Sequence, residues 1–167
     1  MTENEPEENT ATLPQEIAEI YGRHVSMLHR VCYSYMKNAA DTEDIVSDVF
    51  IKLIRHGAGF QSDEHEKAWL LRIAINLCKD NLKHWRRNVV NIDDYDLTEN
   101  TDPFYEDETF KTIMELPERY KAVVYLHYYE GYSSAEISEI LKRPKPTVLY
   151  HLHIARKLLK EGLNHEK

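Results

Sequence analysis

Residues 116–159 constrain the fold more than any other stretch, because two sharp breaks divide an otherwise helical pattern into three segments. Pro117 stands in the first turn of the first segment, where a missing N–H does no harm. Val123, Val124, Leu126 and His127 mark the inner side of that helix, and Glu130-Gly131 ends it. Ser133 or Ser134 then offers an N-cap, with Glu136 placed to complete a capping box on Ser133. Ile137, Ile140 and Leu141 form an i, i+3, i+4 apolar stripe on a short second helix. Lys142-Arg143-Pro144-Lys145 breaks it, since a residue before proline avoids the α region. Pro146 opens a third helix with Val148, Leu152, Ala155, Leu158 and Leu159 on its buried side. This order makes a helix-turn-helix, whose last helix commonly enters a DNA major groove. The same order occurs in plain helical bundles, and geometry alone leaves both open.

Glycine and proline are scarce, at 5 and 6 of 167 residues, and lie mostly at segment ends, so the expected class is all-α. The length suits one ordinary domain or two small helical ones. No apolar run approaches the roughly 20 residues of a membrane span, and the N-terminus lacks a basic-then-apolar signal. The expectation is a cytoplasmic protein without membrane insertion. Cys32 and Cys78 lie in apolar helical patterns and are expected as buried thiols, not a disulfide. The net charge of −8 argues against a polyanion partner only until its distribution is considered. Glu3, Glu5, Glu7 and Glu8 lie in residues 1–12, and eight further acids lie in residues 91–108. Setting these 12 aside leaves 17 acidic against 21 basic residues in the helical parts. The acid is segregated into tail and linker, so nucleic acid remains an admissible partner.

The N-terminal part, residues 13–90, follows an acidic tail (residues 1–12) expected to be disordered. Thr12 and Gln15 fit a capping box, and Ile17, Ile20, Tyr21, His24, Leu28, Val31, Cys32 and Tyr35 form a core-facing stripe. Asp41 is expected to cap a second helix, with Ile45, Val46, Val49, Phe50, Leu53 and Ile54 buried. Asp44, Asp48, Ile51 and Lys52 share another side at i, i+4, i+7, i+8. A solvated face explains the three charges, while Ile51 among them suggests a partner surface. After His56-Gly57-Ala58-Gly59 and a polar loop, residues 67–87 carry two apolar stripes, the mark of a central helix. Lys79, Lys83, His84, Arg86 and Arg87 crowd its C-terminal half, beyond what matching the helix dipole requires. Asn76 is the odd polar residue in its apolar run, placed either to hydrogen-bond within the core or to present its amide to a ligand. The linker, residues 91–109, is too polar to fold alone.

These residues carry a resemblance. ELPERYKAVVYLHYYEGYSSAEISEIL followed by TVLYHLHIARKLLK resembles the C-terminal domain of extracytoplasmic-function sigma factors, small two-domain bacterial initiation factors. NAADTEDIVSDVFIKLIRH is similar to that family's DAEDLVQETF-type helix. An F-x8-W-L-x-R-I-A-x-N pattern matches from Phe60 through Trp69 to Asn76. Two modules in the right order, joined by an acidic linker, cover nearly the whole chain.

The resemblance implies a region 2-like domain at 13–90, a linker at 91–109 and a region 4-like helix-turn-helix domain at 110–167. It implies partners in RNA polymerase core (β′ and β subunits), promoter DNA and an anti-sigma factor, with a free monomer and no cofactor. Asp44, Asp48, Ile51 and Lys52 become the face that docks on the β′ coiled coil. Phe60 and Asn76 match the positions that capture an unstacked minus-ten base, with Lys79, Lys83, Arg86 and Arg87 tracking phosphates. Lys145, Thr147, Tyr150, His151, His153 and Arg156 become the minus-thirty-five contacts. Here the chain departs from the family, since Leu149, His151 and Ile154 occupy cationic positions. Lost phosphate contacts flatten salt dependence, and apolar groups against thymine methyls would favour an AT-rich element.

Three other readings compete. A stand-alone helix-turn-helix regulator would bind duplex DNA without polymerase, and a sigma-like decoy would bind only protein. An enzyme is the weakest, because His151 and His153 point apart on a helix and no phosphate loop or nucleophile–base signature is present.

Overall fold

The computed structural model describes residues 7–88 and 107–165. All the regular structure among them is helical: α1 (Glu7–Met36), α2 (Ala39–His56), α3 (Asp63–Asn88), α4 (Glu108–Glu115), α5 (Glu118–Val124), α6 (Ser134–Leu141) and α7 (Lys145–His165). Residues 1–6 and most of the expected linker, 91–106, lie outside the described residues.

The first three helices pack on one another, and α3 also reaches α6. Ile45, Val49 and Leu53 of α2 share one buried core with Leu28, Val31 and Cys32 of α1 and Leu71, Ile75 and Cys78 of α3, all essentially sealed from solvent. The helix ends differ from expectation in instructive ways. Helix α1 starts at Glu7 and runs through Pro14, so Thr12 lies inside it. Asn38, not Asp41, caps α2: its Oδ1 accepts from the Asp41 N–H at 2.8 Å while its Nδ2 donates to Asp41 Oδ2 at 2.8 Å. Asp41 instead lies in the first turn, where its charge suits the helix dipole. The helix ends at Gly57, whose φ of 87° is costly for a residue with a Cβ.

In the C-terminal part, α7 is the common support of α4, α5 and α6. Helix α4 comes from the edge of the acidic segment: Asp107 caps it, and Phe110 and Ile113 one turn apart are buried. Pro117 is the cap residue of α5, one position earlier than a first-turn proline. The chain then continues as a π-helical turn, Tyr125–Tyr129, a geometry common near functional sites. The Ser133–Glu136 capping box forms as expected, with both bonds at 3.2 Å. Helix α6 closes on Lys142 at φ 53°, a left-handed C-cap that turns the chain sharply into α7.

The two helical groups meet along a seam, and their buried apolar residues form one connected cluster among the described residues. Polar links cross it among the described residues, including Lys121 to the Ser34 carbonyl at 2.9 Å, Tyr125 OH to the Met27 carbonyl at 3.4 Å, Lys67 to Glu130 at 2.8 Å, and Arg86 to Glu118. Next to Lys121 the seam holds a cleft of about 380 Å³ lined by Tyr35, Met36, Leu82, Trp85 and Leu116.

Candidate polymerase and DNA interfaces

Helix α2 divides cleanly. Its Ile45, Val46, Val49 and Leu53 face the core, which turns Asp44, Asp48, Ile51 and Lys52 to solvent on one stripe. Ile51 is 46% exposed and Ile54, one turn on, is 58% exposed. Sequence patterning assigned Ile54 and Tyr21 to the interior; both are exposed, and the Tyr21 ring packs on Phe50 with centroids 4.2 Å apart. Together with Val46 they line a shallow groove between α1 and α2. The i, i+3 spacing of Ile51 and Ile54 was the available signal. His29, Glu43 and Ser47 complete the lining, so the groove is about half polar, and Asp44 and Asp48 lie beyond it on the neighbouring exposed side of α2. This mixture suits a protein partner carrying apolar and basic side chains.

The loop after α2 holds a ring cluster. Phe60 stacks on His56 at 4.8 Å and lies 5.5 Å from Trp69, while His65 meets its edge at 5.6 Å. Phe60 is therefore half-buried and fixed, which positions the loop. Trp69, Asn76 and Lys83 follow at seven-residue steps on one side of α3. Asn76 and Lys83 are exposed, with exposed Asp80 four and three residues away from them on the same helix. Lys79 and Arg86 lie about a fifth of a turn round, toward the seam. Burial, then nearby Arg143, pushes the Lys79 ammonium down to about 8, and Arg86 is paired with Glu118. The side chain of Arg87 lies outside the described residues.

On α7, Val148, Leu152, Ala155 and Leu159 are buried. Lys145, Tyr150, His153 and Arg156 are exposed round the rest of the helix, and Thr147 is half-exposed beyond Tyr150. His151 is placed elsewhere. Its ring meets Tyr120 edge-on at 5.4 Å, and its Nδ1 is buried without a hydrogen-bond partner. Burial, then Arg143, Arg119 and Lys79, holds its pKa below the usual imidazole value. His151 thus turns inward, while Leu149 takes the outward position.

Among the described residues no group of three or more His, Cys, Asp or Glu is disposed to hold a metal ion, and no helix is long and apolar enough to cross a membrane.

Comparison with known proteins matches these groups to two family models, Sigma-70 region 2 over residues 20–88 and Sigma-70, region 4 over residues 108–159. The ECF RNA polymerase sigma-E factor of Haemophilus influenzae is 32% identical over 141 residues, covering 74% of this chain and 75% of that protein. The chain belongs to the ECF sigma-factor family. Sigma factor SigV of Bacillus subtilis is 29% identical across 86% of this chain and 88% of its own length. The same fold occurs in the Bartonella quintana sigma factor RpoE solved with the anti-sigma factor NepR, at TM-score 0.66 and 17% identity over 97% of this chain and all of that one. It also occurs in CnrH solved with the cytosolic domain of CnrY, at TM-score 0.63 and 20% identity over 90% and 89% of the two chains. This ECF sigma factor is accordingly an initiation factor for transcription by RNA polymerase and not an enzyme.

Proposed function

We propose that this sigma factor directs polymerase to promoters through three surfaces carried by two domains, residues 13–90 and 110–167, on the linker 91–109, whose last two residues already begin α4. Asp44, Asp48, Ile51 and Lys52 dock on the β′ subunit, with Tyr21 and Ile54 extending the apolar part of the contact. Phe60 fixes the loop beside a captured minus-ten base, Asn76 reads its edge, and Lys83, Lys79, Arg86 and Arg87 follow the phosphates. Once the lobes part, Lys79 and Arg86 lose their seam contacts and become available to the strand. Lys145, Thr147, Tyr150, His153 and Arg156 meet the minus-thirty-five duplex, with His151 packed behind them.

The single observation that carries this reading is the exposed Ile51–Ile54 pair inside an acid-edged stripe on a region 2-like helix. Large aliphatic side chains exposed together beside charges mark a protein contact. The protein would act in the cytoplasm as a monomer until it meets core polymerase. Because the Bartonella quintana relative in fold was solved with an anti-sigma factor, an inhibitory partner is proposed here too.

The test is direct. Purified protein plus bacterial core polymerase should initiate from a promoter recovered from a randomised library. Failure both to bind core and to initiate would overturn the reading.

A further inference from the structure

The outward side of α7 is unusual for a helix that reads duplex DNA. From Pro146 to Ala155 it contains no Arg, Lys, Asn or Gln. Those four residues supply most bidentate hydrogen bonds to guanine and adenine edges. Yet this is the N-terminal half of the helix, the part that approaches base edges in a helix-turn-helix. What it presents instead is apolar: Leu149 is 49% exposed and Tyr150 is 59% exposed, with no other part of the described fold covering them. Around them stand exposed Lys145, Arg156, Lys157 and Lys160, and residues 145–160 contain no Asp or Glu.

We infer that the minus-thirty-five element is read through thymine C5-methyl groups, with Leu149 as the principal contact and Tyr150 beside it. The inference rests on the proposed role of α7 as the duplex-facing helix. The charge pattern fits one occupant, a polyanion with apolar points in its groove. In the major groove only thymine offers a methyl, so an aliphatic side chain there separates T·A from the other pairs. The flanking cations hold the phosphates and set the helix in register, without reading sequence. Val148 and Leu152 are buried and Ile154 is half-buried, so Leu149 is the one aliphatic side chain in this half of α7 that projects fully outward.

Holoenzyme assembled from the full chain and core polymerase would select a promoter from a randomised library. Each thymine of the recovered minus-thirty-five element would then be replaced by deoxyuridine, which removes only the methyl. We expect about a four-fold loss of affinity at one or more positions, the ratio expected for burying one methyl-sized group. Leu149→Ala should bind the thymine duplex more weakly and lose its sensitivity at that position, with the salt dependence unchanged. Tyr150→Ala should do the same at an adjacent position or leave the pattern intact, which assigns the whole effect to Leu149. A recovered element without thymine, equal binding of thymine and uracil duplexes, or full sensitivity retained by both variants would overturn the inference while leaving the sigma-factor reading in place. No initiation from any library member would remove both.

Discussion

The ammonium of Lys121 donates to the carbonyl oxygen of Ser34 at 2.9 Å, across 87 residues of chain. Ser34 lies in the last turn of α1, whose carbonyls lack intrahelical partners and which carries no basic residue of its own. Lys121 therefore supplies from α5 the positive charge that a helix C-terminus favours. It does so at a cost, because its side chain is only 4% exposed. Burial, and then the nearby charge of Lys37, pushes its pKa down to about 8.

The sign of the pH effect follows from that shift. The folded-state pKa is below the unfolded value, so the penalty for a buried charge is fully present below pH 8. It is relieved as pH rises from about 8 toward the unfolded pKa, because there the unfolded chain binds more protons. Chemical denaturation at pH 9.5 should show about 2 kcal/mol more stability from this group than at pH 7. Half-buried Lys79, also lowered to about 8, adds a smaller share screened by solvent. Lys121→Met should remove most of the pH-dependent gain; an unchanged pH profile in that variant would count against a buried charge at the seam.

Glu66 tests how α3 is held. Its carboxylate, 5% exposed, accepts from Arg23 at 2.9 Å and faces His24 Nε2 at 2.8 Å, tying the first turn of α3 to α1. Glu66→Ala removes the acceptor and leaves half-buried His24 without this partner. A loss of about 2 kcal/mol in urea denaturation is expected, discounted because Arg23 is half in water. Glu66→Gln, which keeps an acceptor oxygen, should recover part of it.

Local chemistry explains which of these features the sequence disclosed. The Ser133–Glu136 box and the Ile45–Val49–Leu53 stripe depend on residues within one or two turns, so spacing alone was enough. The start of α2 was displaced because Asn38 and Asp41 are both good caps, and only their mutual hydrogen bonds decide between them. Helix α4 was hidden by the acids around it, although Phe110 and Ile113 one turn apart were visible. The direction of His151 depends on Tyr120 of another helix, and the Lys121–Ser34 bond on a contact between distant segments. No local pattern encodes either. The resemblance to sigma factors supplied the roles of the α2 and α3 residues; spacing supplied only their common faces.

The docking face on α2 predicts a separation of binding from folding. Asp48 is exposed on the stripe that holds Asp44 and Ile51, so Asp48→Arg should leave the unfolding midpoint nearly unchanged, within about 0.5 kcal/mol. Binding to core polymerase should nonetheless be abolished, because a cation replaces an anion facing a basic partner. Ile54→Asp, also at an exposed position, should weaken binding at least ten-fold through lost apolar burial. Gel filtration with core polymerase checks both, and retention of full binding by the two variants would place the polymerase contact elsewhere.

Asn76 separates promoter opening from polymerase binding. Its side chain is exposed on α3, so it is not needed for the core that Leu71, Ile75 and Cys78 form on the other side. An exposed amide amid an apolar run gains little stability by being there, whereas it can donate to and accept from the edge of an unstacked base. Asn76→Ala should therefore keep core binding and thermal stability within error while slowing strand opening about ten-fold or more, as measured by permanganate reactivity of thymines in the melted region. Asn76→Asp keeps the shape and one acceptor but loses the donor and adds a negative charge beside the phosphates, so it should be worse than alanine. An aspartate variant that opens promoters as well as the native protein would show that the amide reads no base, and the candidates on this face would narrow to Trp69 and Lys83.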